Sequence, residues 1–219
     1  MDTIIDAFPK ILTATGETLM FLGVAMVAGG IVGLVYGITL VVTRKGGLLE
    51  NRVIYALLNI LVNFFRPIPF VILIVALMPL TRLVMGTGIE NKGFMFVLSF
   101  AASFGIARLV EQNLLTVEPG VIEAARAMGA SPIRIICTVL LPEGLGPLIL
   151  GYTFAFIAVV DMSAIASLIG GGGLGTLALV DGFRQFKPEI TWTAVILMIL
   201  IVQLAQVLGN VLSRKVLRR

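Results

Sequence analysis

The chain has 219 residues, 58% of them apolar and only 13% charged, with a mean hydropathy of +1.08. A soluble domain runs about 45–50% apolar and about 25% charged, so both departures point into a bilayer and leave little room for a water-soluble reading. Net charge is +4, there is no histidine, and Cys137 is the single cysteine, which excludes internal disulfides, serine–histidine or cysteine–histidine catalysis and the usual imidazole and thiolate metal sites.

At the amino end, Met1–Lys10 holds Asp2 and Asp6 and lacks a basic start, so it does not read as a cleaved signal peptide. A helical span needs roughly 20 apolar residues. Five segments qualify: Leu19–Val42, Val53–Pro79, Gly93–Val110, Glu143–Ile169 and Ile190–Leu212, the second and fourth interrupted by Pro or Gly. The expectation is a single all-α transmembrane domain over residues 1–219 with five spans and one long loop, 111–142, between the third and fourth.

Lysine and arginine orient it. Arg44, Lys45, Arg52, Arg108, Arg126, Arg134, Arg214, Lys215, Arg218 and Arg219 fall on one side, against Lys10, Arg82, Lys92, Arg184 and Lys187 on the other. Ten against five puts the first set in the cytoplasm. The amino terminus is then outside and the carboxyl terminus inside. With the positive charge accounted for by topology, no nucleic-acid partner is expected. Arg66 stands apart, beside Pro67 and Pro69: it either snorkels to the cytoplasmic interface or lines an inward-facing cavity at the break those prolines make.

On the first span, Gly29, Gly33 and Gly37 recur every four residues on one face. They let another helix approach closely, either within the chain or from a second subunit.

The loop 111–142 predicts two short helices. Glu118-Pro119 opens the first, Val121–Met128, where Glu123 and Arg126 are spaced to pair. Gly129 stops it in a left-handed conformation. Ser131-Pro132 caps a second, Pro132–Leu141, which Pro142 closes. Small residues at Ala124, Ala125 and Ala127 would let this projection seat in a groove of another protein. The alternative is an amphipathic connector lying on the membrane.

Glu123-Ala124-Ala125, three residues, Gly129, then eleven residues to Leu141-Pro142 resembles the cytoplasmic EAA loop of ABC importer permeases, in which the second interval is about nine residues and ends in an apolar-x-L-P. That resemblance implies a type I permease fold and a coupling helix that docks into a cytoplasmic ATPase, with Glu123, Ala124, Ala125 and Gly129 carrying the coupling. Phe64–Phe70, Met78–Arg82 and Gly86-Thr87, then Ser163-Ala164, Gly170–Gly175 and Asp181–Phe186 are similar to the methionine-uptake branch, and the likeness runs from about Leu19 to the carboxyl end. It implies a homodimeric pore in the cytoplasmic (inner) membrane with two ATPase subunits and an extracytoplasmic binding protein, importing methionine, both L and D, by alternating access.

One position departs from the branch: Asp161-Met162 stands where Gly-Tyr is usual before Ser-Ala. An Asp at a helix centre costs about 2.5–3.5 kcal/mol on insertion scales, so Asp161, the only acid well inside a predicted span, should face protein or water. It would contact a substrate ammonium, pair with a span arginine, or make a polar contact between spans. Arg66, Asp161, Met162, Ser163 and Ile165 are the candidate substrate-pathway residues. Gly170–Gly175 contains G-x-G-x-x-G, but no strand precedes it and no phosphate loop exists anywhere. ATP hydrolysis therefore belongs to a separate polypeptide, this chain is not expected to be an enzyme, and no cofactor or metal is expected. The competing readings are a permease for another small amino acid, a secondary carrier using Asp161 (against which five spans do not divide into repeats), and an intramembrane enzyme.

Overall fold

A computed structural model describes the backbone of residues 2–217 and the side chains of residues 6–216; Arg218 and Arg219, counted in the charge balance, lie outside the described residues. Every regular element among them is helical. In chain order these are α1 (Asp2–Val24), a π-helical stretch (Ala25–Gly29), α2 (Gly30–Thr43), α3 (Arg52–Phe65), α4 (Phe70–Ala76), α5 (Met78–Met85) and α6 (Glu90–Leu114). There follow α7 (Pro119–Ala127), α8 (Pro132–Ile135), a second π-helical stretch (Ile136–Leu140), α9 (Leu141–Ser163) and a 3₁₀ segment (Ala164–Ile169). The chain closes with α10 (Gly173–Thr176), a third π stretch (Leu177–Phe183) and α11 (Pro188–Leu217). Four described helices are long and apolar enough to cross a membrane, and the count is five if α3 and α4, bent by 106° at the break between them, are taken as one broken span.

Three departures from the sequence expectation have physical causes. The first helix begins far ahead of Leu19 and runs unbroken to Thr43. At 1.5 Å per residue its 38-residue apolar length is roughly 57 Å, more than the ~30 Å hydrocarbon core, so the acidic start is a helical extension and not a tail. The second predicted span, Val53–Pro79, is interrupted: Asn51 caps α3 by accepting from the N–H groups of Val53 and Ile54, both at 3.1 Å, but Pro67 and Pro69 have no N–H to donate and Pro69 is extended at ψ 133°. Pro142, expected to end the second loop helix, does not. The helix continues from Pro132 to Ile169 because the turn ahead of Pro142 widens into the π stretch Ile136–Leu140. A proline in a tight α turn loses its hydrogen bond and clashes with the carbonyl four residues back; one turn of π geometry absorbs the conflict. Cys137 lies exposed on that stretch.

The chain divides into two compact units. The first comprises 1–29, 68–102 and 156–205, and the second 30–67, 103–155 and 206–219. In the first, Ile11 and Ala14 of α1 pack with Leu174, Leu177, Ile190 and Ala194, while Phe94 receives Phe21 and Phe70 edge-on at 5.1 and 5.9 Å between ring centroids. The segment 170–173 is not left to solvent. The Glu17 carboxylate accepts from the Gly173 N–H at 2.7 Å and from the Asn91 amide at 3.0 Å. Asn91 in turn accepts from the Gly172 N–H at 2.8 Å, and the Thr18 hydroxyl accepts from the Leu174 N–H, also at 2.8 Å. Farther out, Lys10 pairs with Asp181 at 2.5 Å.

In the second unit Phe65 stacks on Phe104 at 4.9 Å. The Tyr152 hydroxyl donates to the Gly30 carbonyl at 2.7 Å, and the buried Ser213 hydroxyl donates to the Gly146 carbonyl at 3.2 Å.

The glycine row resolves into packing inside the chain. A Cβ at Gly29 would sit 2.5 Å from the Ser99 carbonyl oxygen, one at Gly33 2.7 Å from Ile106 Cβ, and one at Gly37 2.5 Å from Val110 Cβ. Each glycine thus presses against α6, the most deeply covered of the long helices. Small residues do this in membranes because lipid tails offer no hydrophobic drive and close backbone approach supplies dispersion instead. Replacing Gly33 or Gly37 with Leu is therefore expected to cost about 1–3 kcal/mol or more, read as a fall of several degrees in the melting temperature of the detergent-solubilised protein. An unchanged melting temperature would mean that the close approach is not structural.

Candidate functional site

The loop between α6 and α9 folds as two short helices at a corner. Pro119 occupies the first turn of α7, where its missing N–H costs nothing. The exit follows the Schellman pattern: the Ala130 N–H bonds the Ala125 carbonyl at 3.2 Å and the Gly129 N–H bonds the Arg126 carbonyl at 2.9 Å. Gly129 lies at φ 79°, open to solvent and with nothing near a notional Cβ, so glycine is required by backbone conformation and not by space. Ser131 then caps α8 by accepting from the Arg134 N–H at 3.4 Å.

The four predicted coupling residues share this corner but not one environment. Glu123, Ala124 and Gly129 are exposed, whereas Ala125 is buried against the second helix. Ala125 thus sets how tightly the corner closes, and Glu123 and Ala124 form its outer surface. Alongside them stand two apolar side chains that sequence reasoning did not single out, Met128 at 81% and Ile133 at 70% exposure. The spaced pair Glu123 and Arg126 does not form among the described residues. Arg126 instead donates to the Gly47 carbonyl at 3.0 Å, tying α7 to the loop after α2.

Of the pathway candidates, Arg66 is exposed in the second unit at the α3 break. The other four are contiguous in the first unit. Asp161 is exposed, Met162 and Ile165 are half-buried, and Ser163 is buried with its hydroxyl donating to the Val160 carbonyl at 2.7 Å.

Sequence reasoning missed one buried cluster. Arg108 was counted as a loop charge, but it lies within α6 with its side chain only 15% exposed, bonded to the carboxylate of Glu111, itself 6% exposed. The other guanidinium nitrogen donates to Asn59 at 2.9 Å and Asn63 at 2.5 Å on α3. Glu111, in α6, and Glu17, in the first helix, lie just outside the predicted spans but within the longer helices observed. The signal was present in the sequence: Asn59 and Asn63, and Arg108 and Glu111, are polar pairs at helical spacing in otherwise apolar stretches.

Residues 29–218 match the family described as the inner membrane component of binding-protein-dependent transport systems. The chain belongs to that family. It is 40% identical over 206 residues to the probable D-methionine transport system permease protein of Vibrio cholerae, covering 94% of this chain and 92% of that one. To the methionine import system permease protein of Bacillus subtilis it is 38% identical over 180 residues, 82% and 81% of the two chains. Among solved structures, an inward-facing form of the MetNI methionine ABC transporter superposes with a TM-score of 0.93 at 36% identity, covering 96% of this chain and 98% of that chain. An amino acid ABC transporter shares the fold at a TM-score of 0.79 and 19% identity. The all-α importer-permease fold expected from the loop motif is thus borne out. As a binding-protein-dependent transport permease, the chain is a pore subunit, and the secondary-carrier and intramembrane-enzyme readings fall.

Removing Arg108 alone strands the Glu111 carboxylate in a desolvated site. Arg108→Ala is expected to cost about 3–5 kcal/mol, and Arg108→Ala with Glu111→Ala markedly less. Thermal unfolding of the two purified variants checks this; equal losses would show that the pair is not coupled.

Proposed function

We propose that this chain is the membrane subunit of an ATP-driven importer for methionine, in both L and D forms, working as a symmetric pair with two cytoplasmic ATPase subunits and an extracytoplasmic binding protein. The near full-length similarity to methionine permeases carries the reading. Five spans are few to enclose a pathway, and two copies supply ten. The lysine and arginine bias supports an outside amino terminus and a cytoplasmic carboxyl terminus, with the α7–α8 corner facing the motor.

In this reading Glu123, Ala124 and Gly129 make the docking surface. Exposed Met128 and Ile133 add the apolar anchors that interfaces favour over scattered charge. Ala125 and the Arg126–Gly47 bond hold the corner so that closure of the ATPase pair is transmitted instead of being absorbed by a loose loop. ATP binding would bring two such corners together and switch the pore from inward- to outward-facing. Arg66, Asp161, Met162, Ser163 and Ile165 belong to the substrate pathway.

The test is ATP-dependent uptake of labelled methionine in cells lacking their own methionine importers, supplied with this chain, its ATPase and its binding protein. Uptake is expected, and Gly129→Asp is expected to abolish it while the protein still inserts and accumulates. Gly129→Ala should be milder, since it places no charge on the docking face and bears only the left-handed strain of about 1–2 kcal/mol. Uptake indifferent to Gly129→Asp, or to omission of the ATPase, would sink the reading. ATPase binding without methionine uptake would leave the architecture and remove the substrate.

A further inference from the structure

Asp161 is the one member of the pathway set whose position poses an energetic problem. It sits near the carboxyl end of the continuous helix Pro132–Ile169, whose most apolar window averages a hydropathy of 2.0. The helix tightens to 3₁₀ over Ala164–Ile169, so Asp161 lies ~15 Å in from that end. Its side chain is exposed, and among the described residues no hydrogen bond or ion pair engages it.

Two acids of other long helices, Glu111 and Glu17, are engaged within the chain. Glu111 is buried against Arg108, and Glu17 accepts from Asn91 and Gly173. Among the described residues Asp161 receives neither a cation nor a donor. Its neighbours along the same face, one and two turns on, are Ile165, half-buried, and Leu168, 57% exposed, which satisfy nothing either.

Contact with lipid costs an unpaired Asp up to about 2.5–3.5 kcal/mol at a helix centre, and less toward an end. Intramembrane carboxylates accordingly face water or a partner charge. We propose that Asp161 faces the water-filled translocation pathway and there holds the ammonium group of the transported amino acid. The inference rests on the importer reading above and adds the chemistry of a specific contact. A carboxylate meeting an alkylammonium makes a charge-assisted hydrogen bond, while half-buried Met162 and Ile165 offer apolar contact to the rest of the molecule. Selection inside the membrane is then by positive charge at one end, and an analogue with hydroxyl in place of the ammonium loses the contact.

The experiment uses the full complex in proteoliposomes with saturating methionine-loaded binding protein, measuring methionine delivered per ATP hydrolysed. Asp161→Asn, isosteric and neutral, is expected to lower delivery about tenfold, because its amide oxygen still accepts from the ammonium but without the opposite charge. ATP hydrolysis stimulated by the binding protein should persist, and Asp161→Glu should restore most of the delivery. A merely structural role would lower both readouts together or break up the complex on gel filtration. Wild-type delivery by Asp161→Asn overturns the proposal. So does recovery in Asp161→Arg combined with Arg66→Asp, which would make the carboxylate an ion-pair partner of a neighbouring copy. Failure of the wild-type complex to import any amino acid would instead bring down the importer reading and this inference with it.

Discussion

Inside hydrocarbon no water completes an unsatisfied peptide group, so each N–H and C=O must find its partner in protein. This chain meets that demand while carrying prolines in its apolar stretches, and the two ways it does so shape the molecule. At Pro142 the helix is rewound: π geometry over Ile136–Leu140 keeps the rod continuous from α8 through α9. At Pro67 and Pro69 it is abandoned, and a new helix starts at Phe70. Carbonyls freed by a break are tolerable only against protein or water.

The same accounting sorts the charges. Arg108 finds one carboxylate and two asparagines. Glu17 spends its carboxylate on the backbone of the glycine segment, so that a stretch unable to form a helix is pinned to α1 and α6. In both places the polar group organises its own unit. The exposed carboxylate of Asp161, in contrast, engages no partner among the described residues.

Composition and periodicity made the helical class legible, because a run of roughly 20 apolar residues is difficult to mistake. The loop was legible for another reason: Pro119, Gly129 and Ser131-Pro132 are punctuation whose meaning is local, and each does in the structure what its type dictates. What was hidden depended on distant partners. Nothing near Arg126 announced that it would bond the Gly47 carbonyl in preference to Glu123 three residues away. Arg108 looked like a loop charge until Asn59 and Asn63 came to face it. Pro142 was misjudged because a helix-breaking residue has two outcomes, and which one occurs depends on whether the preceding turn is free to widen. Gly29, Gly33 and Gly37 announced a close contact but not with what; α6 supplied the answer.

The rewound turn has one more attribute. It carries Cys137, the sole thiol of the chain, exposed and next to the loop corner. A single maleimide dye or nitroxide can therefore be attached to the unmodified protein at the joint between α8 and α9, with no cysteine to remove first. In an assembly of two copies the same chemistry yields one symmetric pair of probes, and the distance between them becomes a spectroscopic ruler for any movement of the two joints.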